Sequence, residues 1–425
     1  MKKNVSFVLY LSICYIFLSC FSGIFGYLSS LLNINILRLW KEIFLIILLY
    51  STILINGSKN FAYSIKILFF MITSMTFYLM YSISDVPISL IIYQYKVDYP
   101  IVLSIILFTL SFKILSKSNQ TYSYLKIITK VILFSSLINS LAIFFQHFFA
   151  NKFYSFMGIE QLGTDAGVKI ITQLGEVRAI GFLTGFVPAG ELMLISIIIL
   201  IESRNKIIKS RVMLIMVFII FTISLIFTGY KNGIIGLIIY FVFKLIEIVF
   251  KDNRVRTRIA LISCCFIFII QYIISCTWLL YNKVNQVFPQ FSYNSIYLRV
   301  IKHEYILNNM VDFKKFFFGL GYGYNGTGSY AIQKSAYGIN AVALDSTFIH
   351  LMSNMGFIGV IVYLAVLIKL IIVLYRNTEM DLYGVRYLAI YLLIGQFFYN
   401  NITGSIPGFI IICLYGTLTY LSIKS

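Results

Sequence analysis

Charge is scarce in this sequence. Only 12% of its 425 residues are Asp, Glu, Lys or Arg, against roughly 25% in soluble domains. Hydrophobic residues make up 60% of the chain and the mean hydropathy is +0.90. So little charge cannot cover a surface in contact with water, which excludes a soluble fold. Acidic groups are scarcer still: 15 Asp and Glu stand against 34 Lys and Arg, a formal net charge of +19. In a chain this apolar the basic excess collects in cytoplasmic loops and sets orientation, so no nucleic-acid partner is expected.

No cysteine falls in a loop. Cys14, Cys20, Cys264, Cys265, Cys276 and Cys413 all lie in apolar stretches, which excludes a disulfide framework or a CxxC metal site and leaves them as small core hydrophobes. No small-x-small cleavage pattern follows residues 5–22, so they are expected to be a retained first helix rather than a signal peptide. No internal repeat or low-complexity run divides residues 1–425, which are expected to form a single transmembrane domain.

What the chain has in abundance is apolar runs. A helix needs roughly 20 apolar residues to cross the hydrocarbon, and candidates are 5–22, 34–55, 61–82, 99–116, 126–148, 180–201, 212–229, 232–250, 259–281, 347–375, 385–403 and 407–422. With the N-terminus inside, the inner loops carry Lys2 and Lys3, Lys59, Lys117, Arg204 to Arg211, Lys251 to Arg258, Arg376 and Arg386, and Lys424. The short outer loops 23–33 and 404–408 carry no basic residue. This positive-inside pattern predicts an all-α polytopic membrane protein of about 12 spans with both termini cytoplasmic. It places residues 149–179 and 282–346 outside. The second of these is too long for a simple linker and is expected to carry short helices and function.

Polar motifs cluster in and around those outer segments. Glu176-Val177-Arg178-Ala179-Ile180-Gly181-Phe182 precedes a stretch holding Gly185, Pro188, Gly190 and Glu191. Such irregular backbone is tolerated at membrane depth when it is buried in protein or lines a wet cavity, and a carboxylate there is a site candidate or a partner for a cation. Thr228-Gly229-Tyr230-Lys231-Asn232-Gly233 is an outer hairpin with one cation. In the long loop, Tyr297-Leu298-Arg299 opens a helix through His303, Glu304 and Asn308, followed by the turn Phe318-Gly319-Leu320-Gly321-Tyr322-Gly323. Gly321, Gly323 and Gly326 match the dinucleotide fingerprint in spacing alone; without a βαβ unit, and on the outer face, the match is rejected. Asp345-Ser346 then heads a helix that carries His350, about 140° around from Asp345, and reaches Gly356 and Gly359.

In their order these pieces resemble the Wzy-type O-antigen or capsule polymerases of the O-antigen ligase/polymerase superfamily. The resemblance is carried by Arg178 to Phe182, Thr228 to Gly233, Arg299, Phe318 to Gly323, and Asp345-Ser346 before Gly356 and Gly359, over roughly residues 175–360. It implies transfer of a glycan from an undecaprenyl diphosphate carrier to a sugar hydroxyl at the outer face of a bacterial plasma membrane. It also implies inversion at the anomeric carbon and no cofactor. The partners it implies are undecaprenyl-diphosphate-linked glycans, the lipid bilayer, and the chain-length regulator and flippase of the same pathway. Two positions depart from the pattern: Lys231 stands where Arg is common, and Asp345 where ligases carry a His followed by Asn, which favours polymerase over ligase.

The chemistry needs charge neutralised on the departing diphosphate and a proton taken from the attacking hydroxyl. Arg gives charge-assisted, often bidentate bonds to phosphate and keeps its proton. Arg178 and Arg299 are therefore expected to converge on the diphosphate, with Lys231 as a third contact. Asp345 is the expected base, His350 the second choice, and Glu191 and Glu176 follow. Tyr322, Tyr324, Tyr330 and Tyr337 are expected to stack on sugar rings. No metal is expected, since loop 23–33 lacks the acidic motif of metal-dependent membrane glycosyltransferases. The alternatives are an O-antigen ligase and a lipid-linked oligosaccharide flippase. Flippases are usually built from two related halves with short loops, a symmetry absent from this sequence.

Overall fold

The computed structural model describes residues 2–51, 86–116, 121–156, 172–173, 176–203, 207–208, 210–276, 293–326, 346–376, 384–395, 408, 411–412 and 414–416. The predicted span 61–82, Asp345, Tyr330 and Tyr337 lie outside them, as does most of span 407–422. The described chain is helical apart from one two-residue antiparallel ladder, β1 (Thr172–Gln173) with β2 (Glu176–Val177), pairing Thr172 with Val177.

The helices are α1 (Lys2–Ser19), α2 (Ser22–Leu31), α3 (40–51), α4 (Ile88–Ser116), α5 (Thr121–Phe148), α6 (Ala150–Phe156) and α7 (Phe186–Glu202). They continue with α8 (Arg211–Phe227), α9 (Lys231–Val249), α10 (Asn253–Cys276), α11 (Tyr293–Asn309), α12 (Phe313–Phe318), α13 (Thr347–Arg376) and α14 (Val385–Gly395). Stretches of α5, α9 and α13 are each long and apolar enough to cross a membrane, and the bent pair α1–α2 would make a fourth. Some hydroxyl residues inside these apolar helices satisfy themselves locally: Thr129, Thr222 and Thr257 each donate to the carbonyl four residues back, at 2.7, 2.8 and 2.7 Å.

Several expected boundaries move. The predicted loop 23–33 is mostly the helix α2, bent 72° from α1. The bend is held by its neighbours: Asn139 Nδ2 donates to the Cys20 carbonyl at 2.9 Å, and the Gly23 N–H donates to the Phe182 carbonyl at 3.0 Å. The span expected from residue 180 starts at Phe186, because Gly181 adopts φ +57° and the backbone before it is irregular. The α13 helix is kinked at Gly356, where φ is 69° and ψ is −168°.

At the centre sits α7, buried without interruption from Pro188 to Leu200. A helix apolar all round is either a core helix or a membrane span, and α7 is enclosed in protein because α5, α8, α9 and α14 all pack on it. Around this axis α10 and α13 pack against α14, and α11 and α12 pack against α13.

Candidate functional site

The site is built where four helix ends meet: the carboxyl ends of α5 and α8 and the amino ends of α7 and α9. Residues 178–182 run across these ends. The Ala179 N–H donates to the Phe227 carbonyl at 3.0 Å. The N–H groups of Ile180 and Gly181 donate to Gln146 Oε1 at 2.7 and 3.0 Å, and that of Phe182 to Asn139 Oδ1 at 3.2 Å. Four backbone donors outside any helix are thus satisfied by one carbonyl and two amide side chains of α5, which fixes the path of the segment. Gln146 Nε2 in turn donates to the Tyr154 hydroxyl at 3.0 Å. Burial pushes the Tyr154 hydroxyl above its ordinary pKa, and the Gln146 bond works against that rise.

Arg178 leaves this segment with its guanidinium carbon 4.3 Å from the Phe186 ring centroid, within cation–π range. Its stem lies along Gly229: a Cβ placed there would sit 3.3 Å from Arg178 Cγ and 3.4 Å from Nε. Gly229 also holds φ +62°, a region a side chain disfavours. The turn is tightened by Thr228 Oγ1, which donates to the Leu225 carbonyl at 2.6 Å and accepts from the Tyr230 N–H at 3.3 Å. Two residues beyond Gly229, Lys231 opens α9 with its side chain exposed. Two motifs fifty residues apart in sequence therefore meet, with Arg178 partly exposed and Lys231 exposed.

Behind this surface a polar chain enters the bundle. The Tyr230 and Tyr391 hydroxyls hydrogen-bond at 2.8 Å. Tyr391 is the polar neighbour acting on the carboxylate of Glu191, at a geometry short of a formed hydrogen bond. Glu191 is fully buried, and Gly408 lies against its carboxylate with no room for a Cβ. Gly190 likewise makes space for the Tyr230 ring, and Gly236 for Tyr391. Small residues of this kind let helices approach closely inside membranes.

A second cluster joins the glycine-rich turn to the head of α13. The Leu320 N–H donates to the Ser353 carbonyl at 2.7 Å, the Gly323 N–H to Asn354 Oδ1 at 3.1 Å, and Asn325 Nδ2 to Ser353 Oγ at 2.8 Å. Asn354 Nδ2 reaches the Asn325 carbonyl at 3.2 Å and lies 3.2 Å from His350 Nδ1. Positive φ at Gly319, Gly321, Gly323 and Gly326 lets the turn coil tightly enough to seat there. Ser346 caps α13, its hydroxyl accepting from the Ile349 N–H at 3.4 Å.

Of the residues expected from the sequence, Asp345, Tyr330 and Tyr337 lie outside the described set, and the others fall as follows. Arg178 packs on Gly229, two residues before Lys231. Arg299 lies on α11, one helical turn before the buried His303, with its side chain outside the described set; α11 opens at Tyr293 rather than at Tyr297. His350 is buried and engaged by Asn354. Tyr322 is buried in a cluster with Val86, Leu90 and Ile91, and Tyr324 is half-buried beside it. Glu176 lies on β2 with its side chain outside the described set. Sequence reasoning missed Asn139, Gln146, Tyr391 and Asn354. Asn139 and Gln146 carried a signal, as amides in an otherwise apolar run.

The opposite end of the bundle is tied by ion pairs. Glu202 of α7 accepts from Lys244 Nζ at 2.7 Å and from the Tyr240 hydroxyl at 2.6 Å. Glu247 of α9 accepts from Arg386 Nη2 at 2.7 Å and from the Tyr387 hydroxyl. The Arg386 pair therefore sets the start of α14 at this end. Among the described residues no group of three His, Cys, Asp or Glu side chains is arranged to hold a metal. Comparison with protein-family models and with curated proteins gives no match to this chain.

Proposed function

We propose that this chain is a polytopic bacterial plasma-membrane glycosyltransferase of the Wzy polymerase type. It joins undecaprenyl-diphosphate-linked oligosaccharide repeat units into a surface polysaccharide. The protein crosses the bilayer about twelve times with both termini cytoplasmic, and residues 149–179 and 282–346 face outward. The observation that carries this is the packing of Arg178 against Gly229 of the turn that leads into Lys231, at the end of a bundle of apolar helices where α9 begins. That is where a carrier lipid presents its diphosphate. Arg178 and Lys231 neutralise the charge that develops as the diphosphate departs, an effect commonly worth several kcal/mol in preorganised sites, and Arg299 of α11 supplies a second guanidinium. The glycine-rich turn, seated on α13 by Asn354 and Ser353, anchors the large outer segment over the same end.

The test is chain growth by the purified full-length protein in liposomes, supplied with lipid-linked oligosaccharide extracted from a strain deleted for this gene. A ladder at repeat-unit spacing is expected, lost in Arg178→Gln and Arg299→Gln at equal protein level. Translocation of the carrier without bond formation would make the protein a transporter. Full activity in both variants would remove the arginines from the mechanism.

A further inference from the structure

The chain has three histidines. His303 and His350 are 1% and 3% exposed, and His350 is also engaged by Asn354. His147 alone is partly exposed, and it stands in the last turn of α5 beside the Arg178 segment. Its ring stacks on Phe227 with centroids 3.8 Å apart and planes 11° from parallel, and Phe148 meets it edge-on at 5.2 Å. Among the described residues these ring contacts are all it makes, so the stack fixes the imidazole plane and leaves its nitrogens uncommitted.

Its placement relative to Arg178 is set from two sides. Gln146, the residue before it, holds the N–H groups of Ile180 and Gly181. Phe227, the ring it lies on, holds the N–H of Ala179 through its carbonyl, and Gly229 two residues later lies against the Arg178 stem. Imidazole and guanidinium therefore flank one junction, where the ends of α5 and α8 meet residues 178–181.

We infer that His147 is the proton acceptor for the sugar hydroxyl that attacks the carrier-linked glycan, an inference that rests on the glycan-transfer function proposed above. In that step the acceptor oxygen forms a bond to the anomeric carbon as the bond from that carbon to the diphosphate oxygen breaks. The bonding pair leaves with the diphosphate, held by Arg178 and Lys231. The hydroxyl proton passes to an uncommitted imidazole nitrogen and from there to water. Of the candidates read from the sequence, His350 is enclosed at the head of α13 and Asp345 lies outside the described residues.

The test uses the same reconstituted full-length protein and extracted lipid-linked oligosaccharide. His147→Phe keeps an aromatic ring on Phe227 but has no nitrogen to accept a proton; His147→Gln serves as a second variant should the first fold poorly. Bond formation is expected to slow ~100-fold or more, with binding of undecaprenyl diphosphate unchanged, whereas Arg178→Gln weakens that binding. Free imidazole should restore turnover to His147→Ala, which a purely structural role for the ring would not allow. Near-normal turnover in His147→Phe with Arg178→Gln inactive would overturn the role of His147 and leave the transfer function standing. Activity retained in both would remove both residues from the mechanism, and absence of bond formation by the wild-type protein would overturn the transfer function and this inference with it.

Discussion

The ion pair between Arg386 and Glu247 offers a quantitative test of how the bundle is held. The two side chains are 9% and 8% exposed and 2.7 Å apart, and the Tyr387 hydroxyl also donates to the same carboxylate. Replacing Arg386 with Met leaves Glu247 enclosed with one neutral donor. Breaking a buried pair in this way typically costs about 3–5 kcal/mol, whereas replacing both partners by apolar groups is close to neutral or better. The double variant Arg386→Met/Glu247→Met should therefore recover most of the loss, giving a coupling of at least ~2 kcal/mol between the positions. The nearby Lys244–Glu202 pair is an internal control. Lys244 is 35% exposed, and solvent screening should hold the cost of Lys244→Met to about 1 kcal/mol or less. Unfolding of the detergent-solubilised protein in a denaturing-detergent titration, with these three variants and Glu247→Met beside the wild type, measures these differences. Equal losses for Arg386→Met and Lys244→Met, or no recovery in the double variant, would refute the reasoning.

Three other outcomes follow from the same contacts. Gly356→Ala forces a side chain onto φ 69° and against the Phe317 carbonyl; it should destabilise by more than ~2 kcal/mol and release the glycine-rich turn, seen as faster limited proteolysis within residues 313–326. Asn354→Ala removes the acceptor of the Gly323 N–H and the donor to the Asn325 carbonyl, a loss of ~2–3 kcal/mol for two buried bonds, read as a lower melting midpoint. With Cys14, Cys20, Cys264, Cys265, Cys276 and Cys413 replaced, a cysteine at exposed Lys231 should be labelled in intact cells by a membrane-impermeant maleimide, and one at Lys251 should not be.

Much of the architecture was legible because a bilayer imposes a simple rule on sequence. Apolar runs located α5, α8, α9, α10 and α13 within a few residues, since such a run has one stable arrangement in lipid. The departures lie where tertiary partners override that rule. Nothing in residues 22–31 announces a 72° bend, because the group that makes it tolerable is Asn139, over a hundred residues away. The start of α7 shifted from residue 180 to Phe186 because Gln146 and Asn139 replace helical hydrogen bonds with their own. Gly181 and Gly185 signalled irregularity without saying how it would be satisfied. At the site, the adjacency of Arg178 and the Thr228 turn was legible only as an ordered pair of motifs. The neighbouring ring of His147 was hidden, since a histidine at the end of an apolar run looks like an ordinary helix terminus.

The enclosure of α7 has a consequence for how the protein is made. Synthesis runs from the N-terminus, so α7 leaves the ribosome long before α14 and Gly408, the pieces that close around Glu191. Until they arrive, the carboxylate has to be sheltered by the insertion machinery or by the helices already in place. A stall between Lys231 and Gly384 would strand it, making this stretch of translation the interval when quality-control proteases find their substrate.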